Sequence, residues 1–359
     1  MTSFMTKEIN EDNLNINNIG IDQIKADKPD DCAKRRLLVY TCDTHCGGWG
    51  DRQNGIITTF LLALLTNRIF VIEMNSPCQL ENILDTHHYD WTMCKPFLTS
   101  GNLKSESIKT LNAVDALNVQ SVLVLPVLED NNNFQVIRVK TNVLIFDSLR
   151  KHDKSIAFIK LIQNVSNQAV MRIVLDILFK NKDTTLSQSN HFRKTILKGR
   201  KLVCTHVRKG KNPTIPLDEV FNTFRGSPNE ETIFSFLKEY TDEQKYAIFV
   251  ASDSDAVKTE ALSLFPNCVS LNRTIIHIDR IGGEPKTVTS LCEGFETVIY
   301  EQYLLSTCDI LVLTQSNFGF NAAFMRGSRD GLFVYITKLN KILPVNINNL
   351  WIARDISQL

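Results

Sequence analysis

Short apolar runs rich in β-branched and aromatic residues recur along the chain from residue 36 onward. Polar residues bound each run, which is typical of buried strands. In the first half we expect strands at 37–41, 69–74, 121–126 and 143–147. Apolar residues at helical spacing predict helices between them, at 56–66, 102–118 and 155–181.

The second half of the chain repeats this alternation. We expect strands at 201–207, 246–252, 309–314 and 332–337, and helices at 230–240, 255–265, 296–306 and 318–326. Continuous apolar strands that alternate with helices indicate parallel sheets covered on both faces. The pattern therefore predicts an α/β fold with two Rossmann-like halves.

Changes in composition suggest where the domains begin and end. Residues 1–34 are rich in Asn, Asp and Lys and poor in large apolar residues, so we expect a mobile arm. A polar segment at 183–194 separates the two patterned blocks. The predicted division is an N-terminal domain at 35–190 and a C-terminal domain at 191–359.

The overall composition is that of an ordinary globular protein. The sequence has 359 residues, of which 43% are hydrophobic and 22% charged, with a net charge of +1. Nothing in this balance points to a nucleic-acid or membrane-surface partner. The most apolar stretch, 56–65, is too short to span a bilayer, and the N-terminus lacks the apolar core of a signal peptide. We expect a cytoplasmic chain as given, or a Golgi or ER lumenal one if an N-terminal anchor is missing.

Cysteine usage leaves the redox compartment open. The chain has nine cysteines and no C-x-x-C pair, so a zinc or thioredoxin-like motif is not indicated. Five of them lie in the first third of the sequence. This clustering is equally compatible with disulfides in a secreted chain and with reduced thiols in a cytosolic one.

Ligands of open α/β sheets bind beyond the carboxyl ends of the strands, so the segments that follow strands are the first to inspect. The segment CGGWGDRQNG, 46–55, opens a helix, and Gly48 and Gly50 would let the backbone approach a ligand. Together with Glu73 it imitates a dinucleotide fingerprint, although Gly55 stands at the wrong spacing. An NAD- or S-adenosylmethionine-dependent enzyme and a glycine turn with only a packing role both remain alternatives.

The segment THVRKGKNP, 205–213, carries His206 and Arg208 to the end of a strand. They stand two residues apart and so share one face. A guanidinium fits phosphate oxygens with two parallel hydrogen bonds, which suggests an anion site. The alternative is a structural arginine that pairs with a carboxylate.

Two further strand ends carry polar residues. Asp253, in VASDSD, could cap the next helix or contact a base or ribose. In LTQSNFGFNAA, Ser316 and Asn317 would cap a helix, and Gly319 would permit close approach of the backbone. The N–H groups at such a helix start form an anion cradle, with an ordinary N-cap as the alternative.

His87 and His88 are adjacent in a polar stretch that also contains Trp91. These residues could line an acceptor groove, but loop or packing roles are the simpler explanation. The sequence offers no further ligand at a spacing that would indicate a metal site.

Taken in order, these segments resemble the fucosyltransferase superfamily, which includes the α1,2-, α1,6- and protein O-fucosyltransferases. The family pattern is a G-x-G-[ND]-[RQ] turn, a stretch like ALLTNRIFVI, an H-x-R motif, an ASD-type segment and a T-x-S-x-F-G segment. The corresponding segments here are GWGDRQNG, LALLTNRIFVI, HVRKGK, VASDS and LTQSNFG. The resemblance extends over about residues 46–327, is closest to invertebrate-type members, and is far more specific as a combination than any one segment.

This resemblance implies a GT-B type fold of two facing Rossmann-like domains. It also implies an inverting, metal-independent glycosyltransferase that moves fucose from GDP-fucose to a hydroxyl of a glycan or protein and uses no other cofactor. Arg208 would hold the β-phosphate, and Asp51 is the candidate base by position. The donor contacts carried over are Gly48, Gly50, Arg52, His206, Arg208, Asp253, Ser316, Asn317, Phe318 and Gly319.

One departure from the family pattern matters. The acidic residue that follows the H-x-R-x-G motif in the family is here Lys211. A protein that binds the nucleotide sugar without turning it over is therefore an alternative, and Lys211 is the feature that favours it.

Overall fold

The computed structural model describes residues 21–101, 103–130, 133–150, 166–210, 227–271, 276–279, 287–328, 330–347 and 350. The predicted α/β class with parallel sheets is confirmed. Contacts divide the chain into two compact units. The first consists of Met1–Thr41, Asn54–Glu73 and Thr86–Leu178, and the second of Cys42–Gln53, Met74–Asp85 and Phe179–Leu359.

The strands are β1 (Leu37–Cys42), β2 (Ile69–Met74), β3 (Leu84–Thr86), β4 (Ile108–Ala113), β5 (Val136–Thr141), β6 (Phe179–Asn181), β7 (Lys201–Val207), β8 (Tyr246–Ser252), β9 (Cys268–Val269), β10 (Ile310–Leu313), β11 (Leu332–Ile336) and β12 (Lys341–Pro344). The α-helices are α1 (Ile21–Ile24), α2 (Asp31–Lys34), α3 (Trp49–Thr66), α4 (Lys95–Thr99), α5 (Leu125–Leu128), α6 (Phe146–Arg150), α7 (Asn167–Leu178), α8 (Asp183–His191), α9 (Glu230–Leu237), α10 (Asp255–Leu264), α11 (Val288–Leu305) and α12 (Asn317–Arg326). Among these described helices, none combines the length and apolar character needed to cross a bilayer.

The first unit is built on a four-stranded sheet in the order β2-β1-β5-β4. Both β1 and β4 run parallel to β5, with Leu37 opposite Val136. One cluster of its core joins Val39, Val71 and Val136 from three strands with Leu98 from α4. The strands are apolar because helices and loops cover them, as the sequence pattern indicates.

The second unit is built on a six-stranded sheet in the order β12-β11-β10-β7-β8-β9. All neighbouring strands are parallel except β12, which is antiparallel to β11. The strands that follow β7 in the chain, β8 and β9, lie on one side of it in the sheet. The strands that follow β10, namely β11 and β12, lie on the opposite side. The strand order therefore reverses between β7 and β10, which is where open α/β sheets bind their ligands.

Two expected strands of the first unit are wrong. Residues 121–126 form a π-helical segment, Gln120–Val124, that continues into α5, and 143–147 lead into α6. The strands of this region are instead β4, inside the expected helix 102–118, and β5. The pattern misled because β4 is an edge strand whose side chains are mostly half-buried or exposed, so alternation is weak.

The expected boundary segment 183–194 is also helical. It forms α8 and the start of a π-helical segment, Phe192–Leu197. Thr185 and Ser189, four residues apart, are its buried positions in α8. A helix that packs through small hydroxyl residues leaves no apolar stripe to recognise. The last of the contact-defined boundaries between the two units lies between Leu178 and Phe179.

The predicted arm at 1–34 needs a correction over its described part, while residues 1–20 lie outside the described residues. Ile24 and Cys32 are completely buried, and Cys32 forms a disulfide with Cys94. Two isoleucines, one cysteine and short helices hold this segment on the first unit. So few residues hardly change the average composition of the segment, and composition therefore does not reveal them.

Eight of the nine cysteines are paired. The disulfides are Cys32–Cys94, Cys42–Cys46, Cys78–Cys292 and Cys204–Cys308. Cys268 at the sheet edge is a free thiol, and burial raises its pKa to about 11. Of the two possibilities left open by the sequence, this structure therefore has the oxidised form.

A thiol titration tests this pairing. Under non-reducing denaturing conditions we expect one reactive thiol, Cys268, and nine after reduction. In the folded protein the reaction should be slow, because the raised pKa keeps Cys268 protonated. The Cys268→Ser variant should show none before reduction. More than one thiol in the denatured, unreduced wild type would contradict the pairing.

Candidate functional site

The ends of β7 and β10 meet at the point where the strand order reverses. The carbonyl oxygen of His206 accepts hydrogen bonds from the N–H and the hydroxyl of Thr314, each at 3.0 Å. The Thr314 hydroxyl oxygen in turn accepts from the N–H of Arg208 at 2.8 Å. One threonine thus ties both strand ends together and sets the direction in which the chain leaves β7.

Asp253, which follows β8, organises the loop after β7. Its carboxylate accepts hydrogen bonds from the N–H groups of Lys209 and Gly210, both at 2.7 Å, and pairs with the Arg208 guanidinium. The Arg208 side chain keeps 24% of its surface exposed, whereas Asp253 keeps 9%. The carboxylate pairing considered for Arg208 is therefore present, and it holds the guanidinium at the edge of the sheet.

Lys209 turns away from this edge. Its ammonium group donates to the carbonyl of Pro228 at 3.0 Å and pairs with Glu230 at 2.6 Å. It therefore anchors the start of α9. Lys211 lies outside the described residues.

The N-terminus of α12 adjoins the same strand ends. The Ser316 hydroxyl caps the helix by accepting from the N–H of Phe318 at 3.3 Å. Gly319 follows in the first turn, where a Cβ atom would lie 3.0 Å from Nδ1 of His206. A side chain at this position would crowd the His206 ring, which glycine avoids. The N–H groups of a helix start favour a bound anion.

His206 is buried and uncharged. Burial, with a smaller contribution from nearby Arg208, lowers its pKa to about 3. Its Nδ1 is buried and has no hydrogen-bond partner among the described residues, and its ring centroid lies 5.2 Å from that of Phe318. A buried ring nitrogen without a partner is costly, so the ring is held in this place by the packing around it and not by its own hydrogen bonds.

The glycine-rich turn belongs to the second unit, and helix α3 begins at Trp49, seven residues before the expected start. The carboxylate of Asp51 accepts from the N–H of Gly48 at 3.1 Å and from the amide of Asn317 at 2.6 Å. A Cβ on Gly50 would lie 2.3 Å from the backbone nitrogen of Phe318. Gly50 thus serves the packing of α3 on α12, whereas a ligand-approach role was expected.

A network of buried amides surrounds this contact. Oε1 of Gln302 accepts from the Trp49 indole at 2.8 Å and from the Gln53 amide at 2.9 Å. The amide of Asn321 donates to the carbonyl of Gly50 at 3.1 Å and to Gln53 at 3.0 Å. These bonds join α3, α11 and α12 within the second unit. The sequence motifs do not reveal Gln53, Gln302 and Asn321. A polar residue inside an apolar helical pattern is only a weak signal of a buried hydrogen-bond network.

Arg52 does not reach the solvent-facing side of the site. Its side chain is fully buried, and its guanidinium donates to the carbonyls of Gly47, Ser76 and Ile278. It also pairs with Asp279 at 3.4 Å. Arg52 therefore has a structural role in this structure, and its contact with a donor stays a prediction.

His277 is a site residue that the sequence motifs miss. Its Nδ1 accepts from the N–H of Asp279 at 3.3 Å, so in the neutral ring the proton is on Nε2. That Nε2 lies 3.8 Å from where a Cβ on Gly48 would stand. No spacing rule links residues so far apart in sequence, and only the fold brings them together.

The dinucleotide alternative loses its basis. A Cβ on Gly55 would lie 1.9 Å from the carbonyl oxygen of Thr141, so this glycine packs α3 against the first unit's sheet. Glu73 pairs with Arg138 at 3.1 Å in the same unit. Gly55 and Glu73 are the residues that would have to contact a bound dinucleotide, and both contact other parts of the protein instead.

Comparison with known proteins supports the predicted fold. No protein-family model and no curated sequence matches the chain. Among solved structures, a mutant of Arabidopsis thaliana FUT1 in complex with GDP matches with a TM-score of 0.55 and 16% identity, over 89% of this chain and 74% of that one.

NodZ α1,6-fucosyltransferase soaked with GDP-fucose matches with a TM-score of 0.52 and 11% identity, over 87% and 99% of the two chains. Its selenomethionine form from Bradyrhizobium gives 0.51 and 13%, over 87% and 99%. The chain therefore has the fold of these fucosyltransferases, and the resemblance seen in the motifs is confirmed at the level of the fold.

Alanine substitutions at two glycines of this turn should have different effects on stability. Gly50→Ala should lower the free energy of unfolding by about 1–3 kcal/mol, because the added Cβ meets the backbone of α12. Gly48→Ala is the matched control, since its Cβ would make only ordinary contacts at 3.8 Å or more. Urea denaturation measures both. Equal stability of the two variants would contradict the packing role of Gly50.

The lowered pKa of His206 predicts a pH dependence of stability. Between pH 6.5, its ordinary pKa, and about 3, the unfolded chain binds a proton that the folded chain does not. Stability therefore falls as pH falls through this window, by at most about 1.4 kcal/mol per pH unit. The difference in unfolding free energy between wild type and His206→Gln should shrink accordingly. A difference independent of pH would show that His206 is not held neutral.

Proposed function

We propose that this protein is an inverting glycosyltransferase that moves fucose from GDP-fucose to a hydroxyl acceptor on a glycan or protein, without a metal. The observation that carries the proposal is the meeting of Arg208 and the N-terminus of α12 at the reversal point of the second unit's sheet. The chain shares its fold with fucosyltransferases solved with GDP and GDP-fucose. The motifs at this point of the fold are those that resemble the same family.

The departure of GDP from fucose builds negative charge on the β-phosphate. In this proposal Arg208 and the N–H groups at Ser316–Gly319 stabilise that charge, and the cation they supply takes the place of a metal ion. Asp253 fixes the guanidinium before the donor arrives, so little rearrangement is needed in the transition state. Removing one such contact typically costs on the order of 2.7–4 kcal/mol, or 10²–10³ in rate.

Neutral His206 gives the site a second kind of contact. Its buried ring packs against Gly319 and Phe318, so it supports the start of α12 without adding charge to the site. Asn317 and Phe318, in the first turn of α12, would meet the phosphates and the guanosine.

Asp51 is the proposed base, with a second task. Its carboxylate holds Gly48 and Asn317 and so positions the turn on α12. His277, beside Gly48, would contact the donor or acceptor from the same side. If Asp51 acts only in positioning, the acceptor attacks a nearly dissociated sugar cation with little help from a base.

The disulfides bear on the compartment. Four bridges in one chain are typical of proteins that fold in an oxidising environment. We therefore propose the Golgi or ER lumen as the place of action rather than the cytoplasm.

Ligand-dependent thermal stability and product release test the proposed function. Wild type should be stabilised by GDP and GDP-fucose, and not by UDP, NAD or S-adenosylmethionine, since a ligand that binds only the folded state raises stability by mass action. Arg208→Ala should abolish the shift and lower GDP release from GDP-fucose by about 10²–10³. Arg208→Lys, which keeps the charge but loses the planar fork, should be intermediate.

Arg138→Ala is the matched control. It removes an arginine whose side chain is 26% exposed, against 24% for Arg208, and that also pairs with a carboxylate, but in the first unit. Its response to GDP should equal that of wild type. GDP binding with no consumption of GDP-fucose for any hydroxyl acceptor would favour the binding protein without turnover. A shift with NAD or S-adenosylmethionine and none with GDP would refute the donor site.

A further inference from the structure

Three potential metal ligands meet on the surface of the first unit. His87 and His88 follow β3, and Asp176 stands in the last turn of α7. One ring nitrogen of each histidine and a carboxylate oxygen of Asp176 all lie within 4.8 Å of one another. The two imidazole rings are stacked, with centroids 3.7 Å apart. The third ligand, which the sequence did not reveal, is thus supplied by the fold.

The backbone around the two histidines is fixed on the end of α7. The N–H groups of His88 and Tyr89 donate to the carbonyl of Ile177, at 2.9 and 3.1 Å. The indole of Trp91, which is completely buried, donates to the carbonyl of Leu178 at 2.9 Å. The ligand atoms therefore stand on an ordered scaffold, and side-chain rotation is the main freedom that remains to them.

The contact of His87 is the one that metal-bound histidines make. Its Nδ1 lies 2.8 Å from the backbone carbonyl oxygen of Asp176. With a proton on Nδ1 donated to that carbonyl, Nε2 carries the lone pair that a metal requires. Ligating histidines usually donate their other ring N–H to a carbonyl or carboxylate, which fixes the tautomer and the ring orientation.

The electrostatics of the helix end also favour a cation. The C-terminal turn of α7 carries the negative end of the helix dipole, and Asp176 adds a carboxylate there. A negative side chain at this position destabilises the helix by itself, and a bound cation reverses that effect. The Asp176 side chain is 59% exposed and that of His87 is 35% exposed, so ions reach them directly.

We propose that His87, His88 and Asp176 form a binding site for a divalent transition-metal ion, with zinc as the best fit. Two imidazoles and one carboxylate are ligands that zinc takes, with water or a group of another molecule in the fourth position. Bonds of 2.0–2.2 Å would bring the ligand atoms to about 3.4 Å from one another, which side-chain rotation can achieve. The site lies in the first unit, shares no residue with the proposed donor site and does not depend on the proposed function.

Zinc titration of the whole chain tests this site. Isothermal calorimetry with zinc chloride should show saturation at one ion per chain. His88→Ala and Asp176→Asn should each weaken binding by about tenfold or more, because a lost ligand costs at least as much as a lost outer contact. His191→Ala is the matched control, since His191 is exposed on α8 outside the cluster, and it should bind zinc as wild type does.

A second measurement distinguishes the loss of a zinc ligand from misfolding of the variant. Asp176→Asn has nearly the same shape as the native residue and removes an unfavourable charge at the helix end, so its unfolding midpoint in EDTA should lie slightly above that of wild type. Zinc should then raise the midpoint of wild type and of His191→Ala, but not of Asp176→Asn. The absence of saturable zinc binding to wild type, or equal binding by wild type and both ligand variants, would overturn the proposal.

Discussion

The first turn of α3 lies directly against the first turn of α12, and the rest of the candidate site depends on this contact. Gly50 permits it, because any side chain there would overlap the backbone at Phe318. Around it, Gln53, Gln302 and Asn321 exchange hydrogen bonds while exposing at most 2% of their surface. A buried amide group that loses its partner costs about 1–3 kcal/mol. A shift of α12 would break several of these bonds at once, so the helix start is held in one place.

Burial around this contact also determines the charges at the strand ends. Burial keeps His206 neutral, so among the described residues at this edge the positive charge lies on Arg208 and on the partial charges of the α12 N-terminus. Asp253 would be expensive to enclose by itself, but it accepts bonds from two backbone N–H groups and from Arg208. The carboxylate therefore orients the cation and closes the loop after β7. An anion that binds here meets groups already in position.

The sequence anticipates the strand ends well and the contacts behind them poorly. His206, Arg208, Asp253 and Ser316 all lie at the carboxyl edge of one sheet, as the position of each after an apolar run predicts. The start of α3 was misplaced because two glycines weaken helix propensity, and tertiary packing overrides that preference. Gly50 and Arg52 stand in a motif that suggests ligand contact, yet one packs helices and the other binds carbonyls. Such roles depend on which distant segments of the chain pack together, and a short sequence motif does not contain that information.

The segments that build the site are far apart in the chain, and each has its own tether. The glycine turn follows the Cys42–Cys46 bridge, and the Cys204–Cys308 bridge joins β7 to the segment just before β10. Arg52 and Asp279 connect the turn to the segment that carries His277. The proposed stabilisation of a leaving diphosphate by N–H groups and one guanidinium depends on fixed distances, because weak dipoles lose their effect when they must reorient. Covalent bridges and buried polar groups on the same elements keep those distances fixed.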